Sequence, residues 1–385
     1  MSRENRAGWY RRNLSGEAEY KSFVPNPLPP NPVIEKDDEL ISLLIKAHRQ
    51  LGMLEGLSSN IPDVDLFMAM YVRKEALMSS QIEGTQATLE DVLDPEIDEN
   101  VNRDVREVVN YVAAAETAIE LLKKLPICGR MLREIHEILM TGTRGEEKYP
   151  GEFRRTQNWI GGAGSTLKTA FYVPPNPEDM KEAMSCLEKY INDNDETDEL
   201  IRIALIHYQF ETIHPFLDGN GRVGRLLITL YLMWRGVLTF PSLYISYYLK
   251  KNRLEYYDRM TEIRRNGDYE QWIKFFLRAL IVSSENAIST IQRLLELHER
   301  NIKLVRDMKR VSGSTLKVFL YLEKNPIITI GKTSEELFIS FNTVSRALKR
   351  LEKVGILSSG HKIYRKQIYY YKEYLEILRN GTEQI

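Results

Sequence analysis

A chain of 385 residues with 43% hydrophobic content can bury a sizeable core, divided over two or three domains. Its net charge of −1 excludes a chain-wide nucleic-acid or anionic-membrane surface, so any basic patch has to be local. Two cysteines, Cys128 and Cys186, give neither a disulfide framework nor metal-ligand spacing and read as small core residues; with no apolar leader and no membrane-length apolar run, the expectation is cytoplasmic, with no membrane partner.

In chain order, residues 1–36 read as a polar, proline-rich arm in which Tyr20, Phe23, Val24 and Leu28 are available to pack on a neighbour. Residues 37–122 carry helical periodicity throughout, clearest in "DDELISLLIKAHRQLGML" and "NRDVREVVNYVAAAETAIELLKKL". Between them, "LFMAMYVRKEALMSSQI" is a further helix with Gly84 as its stop. Glu83 then falls at the negative end of a helix dipole, where an acid is disfavoured by about 0.3–1 kcal/mol. A cation is therefore expected to meet it.

Residues 123–290 are again mainly helical, interrupted at 151–175 by glycines and alternating aromatic residues that predict a short β-hairpin. A charged linker helix is expected over 291–310. Residues 311–385 then follow the order of a winged helix-turn-helix: a helix, a second short helix capped by Thr333 or Ser334, "SFNTVSRALKRLEKVGIL", and two strands through "HKIYRKQIYYY". Ten Lys and Arg against six Asp and Glu over 331–385 make this segment locally basic, at +4. The fold class is mainly α, with a small α+β module at the C-terminal end.

The run "HPFLDGNGRVGRLLITLYLMW" carries the chemistry. His214 ends one helix because proline follows it, and "DGNG" opens directly into a second helix whose first N–H groups are unpaired. Gly219 and Gly221 let an anion approach those groups, while Arg222 and Arg225, three residues apart, add two cationic forks. Asp218 offers a hard oxygen ligand for Mg²⁺, and His214 is the nearby group that can take a proton. Together these make a phosphoryl or nucleotidyl transfer site. His207, without a partner group on a buried helix, reads as a core histidine; a zinc site from His207, His214 and Asp218 fits the usual ligand patterns poorly.

"HPFLDGNGRVGR" resembles, position by position, the HxFx(D/E)GNGRxxR motif of the Fic family of adenylyltransferases. "PGEFRRTQNWIGG", "LKTAFYVPP" and "YISYYLKKNRLEYYDRM" through "WIKFFL" extend the likeness over most of residues 40–285. The resemblance implies a Fic-type helical core with a short β-hairpin flap, and AMP transfer from Mg-ATP to a Ser, Thr or Tyr hydroxyl of a protein, the chain itself included. It implies His214 as general base, Phe216 as loop anchor and Asp218 as metal ligand. Gly219, Asn220 and Gly221 would form the anion hole, with Arg222 and Arg225 on the β- and γ-phosphates. Glycine at 221 favours AMP transfer over the phosphate transfer of the related Doc toxins, which carry lysine there. Thr166, Leu167, Lys168, Thr169, Ala170, Phe171, Tyr172 and Val173 would dock the target segment as an added strand.

"SSQIEG" fits the family's inhibitory motif, (S/T)xxxE(G/N), with Ser79 first and Glu83-Gly84 last. The resemblance implies that Glu83 pairs with Arg225 and takes the fork meant for the γ-phosphate, with Ser79 one turn earlier in reach of Glu83. Removal of AMP, alone or beside transfer, stays open. A second class of function is a DNA-binding regulator, with Asn342, Ser345, Arg346 and Lys349 facing a major groove and Arg365 and Lys366 on a wing. Protein docking through 311–385 and a homodimer are equally open.

Overall fold

The computed structural model describes residues 6–59, 61, 64–93, 102–162, 164–308, 313–363 and 366–383. It opens on a hairpin, β1 (Gly8–Asn13) against β2 (Tyr20–Pro25), in antiparallel register from Gly8↔Pro25 to Asn13↔Tyr20. Residues 8–25 of the expected polar arm thus form a hairpin, while the proline-rich stretch after Pro25 has no helix or strand before Asp38. Tyr10 and Phe23 face each other across the strands with ring centroids 5.3 Å apart, the kind of pair that stabilises a ladder. Phe23 is buried and its N–H donates to Val173 O (2.9 Å), so the hairpin forms an extra layer beside the flap segment.

Helices α1 (Asp38–Ser58), α2 (Val64–Ile82), the single turn α3 (Leu89–Val92), α4 (Arg103–Leu122) and α5 (Gly129–Met140) follow. Asp37 caps α1 and Asn102 caps α4, each side chain accepting from a backbone N–H three residues on. Between α5 and α6 (Pro177–Asn192), the hairpin expected at 151–175 reduces, among the described residues, to one antiparallel bridge, Ile160↔Tyr172. Thr166 to Ala170 coil into a turn instead, the N–H groups of Thr169 and Ala170 both donating to Thr166 O.

The centre of the core is α7 (Glu199–Ile213) packed on α8 (Asn220–Trp234). Every residue of α7 from Leu200 to Ile213 is buried, so its polar side chains must be satisfied internally. Arg202 bonds Asp195 (2.6 Å), Asp193 O (2.7 Å) and Tyr231 Oη (3.2 Å). His207 donates from Nδ1 to Gly224 O (3.0 Å) and accepts at Nε2 from Tyr256 Oη (2.8 Å), so both ring nitrogens are engaged and the zinc alternative is unsupported. Cys128 and Cys186 are half-buried free thiols at the edge of the core, not inside it.

Helices α9 (Ser246–Lys251) and α10 (Arg253–Asn266) lead into α11 (Tyr269–Arg306), 38 residues without a break. The separate linker helix expected over 291–310 is thus the second half of α11. Ile291, Leu294, Leu297, Asn301 and Val305 keep one buried stripe running under its charged surface.

The remaining elements are α12 (Gly313–Lys324), β3 (Ile327–Thr329), α13 (Ile330–Leu337), α14 (Phe341–Lys353), β4 (Ser358–Ile363), β5 (Lys366–Tyr370) and α15 (Lys372–Arg379). The sheet is antiparallel in the order β3-β5-β4, completing a winged helix-turn-helix. Thr329, not Thr333 or Ser334, caps α13, because the short strand β3 delivers the chain to the helix one turn earlier. Among the described residues no helix is long and apolar enough to cross a membrane.

The winged helix is seated on α11. Asn301 Nδ2 donates to Tyr371 Oη (2.7 Å), and His298 Nδ1 meets the buried Glu323 carboxylate at 2.8 Å. The Glu323 bond holds His298 above the ordinary imidazole range against the opposing effect of burial, with Glu299 adding and Arg306 subtracting. A raised histidine contributes stability that is complete below its unfolded pKa and disappears as pH climbs through the folded value. The thermal midpoint of the wild type should therefore exceed that of His298→Gln by more at pH 6 than at pH 8.5. Such a bond is worth about 1.5–3 kcal/mol when charged, and an equal gap at both pH values would refute the pairing.

Candidate active site

The loop between α7 and α8 is built around a left-handed residue. His214 closes α7 at φ 50°, ψ 61°, with its N–H on Phe210 O (3.0 Å), and Pro215 turns the chain away. A non-glycine residue there is strained and persists only where its surroundings enforce it. Arg154 does so, donating from Nε to His214 O (2.9 Å) and from its own N–H to Pro215 O (2.9 Å). Asn158 Nδ2 reaches Phe216 O (2.9 Å). Asn220 Oδ1 accepts from Phe216 N–H (2.8 Å) while its Nδ2 donates to Phe216 O (2.9 Å). The Asn220 side chain thus closes the loop upon itself, and only its backbone N–H is left for an anion.

Phe216 is fully buried and stacks on His136 at 3.8 Å between ring centroids. His136 accepts at Nδ1 from Gly151 N–H (2.9 Å) and so donates from Nε2 to Asp218 O (3.0 Å). Burial pushes its imidazole down to about 4, keeping that neutral tautomer at pH 7. His214 donates from Nδ1 to Glu211 O (3.3 Å), which leaves Nε2 as the acceptor nitrogen. Burial likewise lowers His214 to about 4, so it stands unprotonated at neutral pH. Gly219, at φ +74°, turns the chain into α8, whose N-terminus carries no side-chain cap. The first N–H groups of α8 are the donors that suit an anion.

Arg225 is 1% exposed and meets α2. Its Nε donates to Ser79 Oγ (2.8 Å), and its Nη2 donates to Ser79 O (2.9 Å) and Glu83 Oε1 (2.7 Å). Ser79 therefore bonds Arg225, whereas the sequence placed it within reach of Glu83. Burial works against both charges, but each holds the other ionised: Glu83 lies below the ordinary carboxylate range and Arg225 above its usual value. Gly221 makes this approach feasible, since a Cβ there would lie 2.3 Å from Glu83 Oε1. Gly84, at φ +99°, turns the chain off the end of α2.

Asp218 and Arg222 complete the cluster. Lys148 Nζ lies 2.7 Å from Asp218 Oδ2; burial raises the Asp218 carboxyl, but Lys148, the Gly219 N–H and Arg222 together hold it below its ordinary range. Arg222 is buried, with Nη2 on Met140 Sδ (3.3 Å) and Nη1 3.8 Å from Glu107. Its Nε and Nη1 have no hydrogen-bond partner among the described residues. No group of three metal-type side chains occurs among the described residues. One carboxylate that already attracts a cation, beside donors suited to phosphate, nevertheless matches the way Mg²⁺ binds between a protein and a polyphosphate.

Glu83, Gly221, Arg225, His214, Glu211, Tyr172, Phe171 and α10 surround a cavity of about 570 Å³. Of the flap residues, Phe171 is 87% exposed at the rim and Tyr172 is buried below it, with Arg264 4.0 Å over its ring. Thr166 to Ala170 belong to the turn and are not in an extended strand, the N–H groups of Thr166, Thr169 and Ala170 bonding within the turn. His136, Lys148, Arg154, Asn158 and Glu211 escaped sequence reading. Arg154 and Asn158 both lie in "PGEFRRTQN", and Glu211 stands one turn before His214; His136 and Lys148 arrive from segments more distant in sequence.

Residues 41–120 match a Fic/DOC family N-terminal model, residues 126–232 the Fic/DOC family model, and residues 312–358 a winged helix-turn-helix DNA-binding model. A Drosophila grimshawi protein named protein adenylyltransferase Fic is 34% identical over 158 residues, covering 40% of this chain and 29% of that protein. A Culex quinquefasciatus protein of the same name is 35% identical over 127 residues, covering 32% and 22%. The chain spans less than a third of the length of these relatives. The crystal structure of a Fic family protein from Desulfovibrio desulfuricans G20 aligns with TM-score 0.57 at 20% identity over 88% of this chain and 97% of that one, which shows a shared fold.

The Asn220 clamp is directly testable. Asn220→Ala removes both bonds to Phe216 and strands a buried N–H, which should lower the unfolding free energy by about 2 kcal/mol in urea denaturation. A loss below about 0.5 kcal/mol would show that the loop holds its shape without the clamp.

Proposed function

This chain carries the two Fic/DOC-family domains and a winged helix-turn-helix, and from that premise we propose that it transfers AMP from ATP to a hydroxyl side chain of a protein and is restrained by Glu83. The observation that carries the reading is the 2.7 Å ion pair between Glu83 and Arg225, inside the cavity that also holds His214 and the Gly221 end of α8.

In the transfer, His214 Nε2 takes the proton of the target hydroxyl. The hydroxyl oxygen bonds to the α-phosphorus, the bond to the bridging oxygen breaks, and its electron pair leaves with pyrophosphate. The backbone N–H groups of Gly219, Asn220 and Gly221 hold phosphate oxygens, and Arg222 and Arg225 neutralise the β- and γ-phosphates. Mg²⁺, held by Asp218 in exchange for Lys148, would supply further charge neutralisation. The exposed rim at Phe171 receives the target segment, while Tyr172 and Val173 lie buried beneath it with main-chain groups bonded to Ile160 and Phe23. While Glu83 occupies Arg225, the γ-phosphate lacks its fork and the α-phosphate loses the alignment that attack requires.

The deciding experiment incubates wild type, Glu83→Gly and His214→Ala with Mg²⁺ and ATP labelled at the α- or the γ-phosphate. Glu83→Gly should transfer α-label at least about tenfold faster than wild type, a barrier change of ~1.4 kcal/mol, and His214→Ala should transfer none. γ-Label on protein would make it a kinase. Silence of Glu83→Gly with both labels would remove AMP transfer and favour AMP removal, with Glu83 orienting water.

A second reading attaches to the winged helix. Asn342, Arg346 and Lys349 are exposed on α14 while Val344, Ala347, Leu348 and Leu351 are buried, the division a groove-reading helix requires. Ser345 is half-buried, Arg365 lies outside the described residues, and so does the Lys366 side chain. Duplex DNA binding that weakens with salt and is lost in Arg346→Ala/Lys349→Ala would support a regulator; its absence at low salt would leave protein docking.

A further inference from the structure

The end of α2 has a second anchor on the side away from Arg225. Gln81, two residues before Glu83, donates from Nε2 to Ala87 O (3.0 Å) and to Thr382 O (3.2 Å). Its Oε1 accepts from Lys250 Nζ (2.6 Å), and the same ammonium donates to Gly381 O (3.4 Å) and to Glu383 O. Three separate elements thus meet in one polar hub: α2, α9, and the turn that follows α15. Lys250 and Thr382 are buried within it. Burial lowers the Lys250 ammonium to about 8 while Glu383 opposes the shift, so it is mostly charged at neutral pH.

The turn is rigidly shaped. Thr382 returns its N–H and its hydroxyl to Arg379 O (2.9 and 2.8 Å), and Gly381 sits at φ +85° against the Tyr247 ring. A Cβ on Gly381 would lie 2.2 Å from Tyr247 Cδ2. Two further contacts tie the winged helix to the inhibitory region. Arg379 pairs with Glu90 just beyond the motif (2.6 Å), and Arg73, in the middle of α2, reaches Lys324 O (3.5 Å).

We propose that this hub is a latch through which the winged-helix unit positions Glu83 on Arg225. Helix ends open at low cost, and among the described residues the polar side chains of the last turn of α2 bond outward on two sides, Ser79 and Glu83 to Arg225 and Gln81 to the hub. Glu83 keeps 37% of its side chain exposed, so its grip depends on the backbone that presents it. Release of the hub frees that backbone. Gln81, Lys250 and Thr382 are positioning residues that touch none of the reacting groups. The seating of the winged helix then sets the level of inhibition, a coupling between two sites through one shared helix end. The inference rests on the reading of Glu83 as inhibitory.

The test uses Gly381→Ala, which strains the turn and drives it off Tyr247, with Gln81→Ala as a second variant that opens the hub without strain. Both are compared with wild type, Glu83→Gly and the double variants for transfer of α-label from ATP, and by amide hydrogen exchange over Ser79 to Gly84. Each single variant should raise transfer at least about fivefold and speed exchange, with no further gain in the Glu83→Gly background. Wild-type transfer and unchanged exchange in both, beside an activated Glu83→Gly, would overturn the latch. Should Glu83→Gly itself be silent, the AMP-transfer reading fails, and exchange alone decides: faster exchange upholds the latch and unchanged exchange overturns it.

Discussion

Arg225 is a guanidinium sealed inside the protein, and a buried cation without partners costs several kcal/mol. The surrounding structure is arranged so that it is never alone. Ser79 O lies in the last turn of α2, where carbonyls lack intrahelical donors, so the helix end and the cation satisfy one another. Glu83 completes the pair with its charge. An acid at the negative end of a helix loses about 0.3–1 kcal/mol to the dipole. A charge-assisted bond to a buried guanidinium exceeds that, which is why the sequence places an acid where a helix alone would reject one.

The same logic of mutual satisfaction builds the other wall. The His214 backbone is held left-handed by Arg154, a side chain 2% exposed that gives its donors to main-chain carbonyls of the loop and the flap base. Phe216 enters the core, Asn220 locks its peptide groups, and neutral His136 carries the order on to Asp218. The His214 imidazole therefore sits on a strained residue that Arg154 holds directly and that Phe216, Asn220 and His136 support through the loop. Rigid support of this kind lets one nitrogen be aimed without induced movement.

The legible part of this design is the part written locally. His214 to Arg225 fall within one loop and one helical turn, so spacing alone brought base, carboxylate, amides and arginines together. The winged helix was legible because its elements follow one another in order. The N-terminal hairpin was hidden because prolines dominate its neighbourhood and its strands are only six residues each, too short for alternation to stand out. The continuity of α11 was hidden by charge, which marks its surface and says nothing of the buried stripe beneath. Lys148 and His136 have no local signal: each is set by a contact to Asp218 spanning 70 or 82 positions of sequence.

Two glycines of α8 decide what can share Arg225. A Cβ on Gly221 would meet Glu83 Oε1 at 2.3 Å, and one on Gly224 would meet Glu211 Oε1 at 2.2 Å, so two carboxylates rest against bare helix backbone around one cation. They do not stay alike. Arg225 bonds Glu83 and keeps it ionised, whereas burial raises Glu211 to about 7, and its Oε1 has no partner among the described residues. One cation therefore neutralises one firmly ionised acid, and the second carries its proton for part of the time at neutral pH. Any anion that replaces Glu83 must enter the gap between the Gly221 backbone and the guanidinium, and that gap exists only because residue 221 has no side chain.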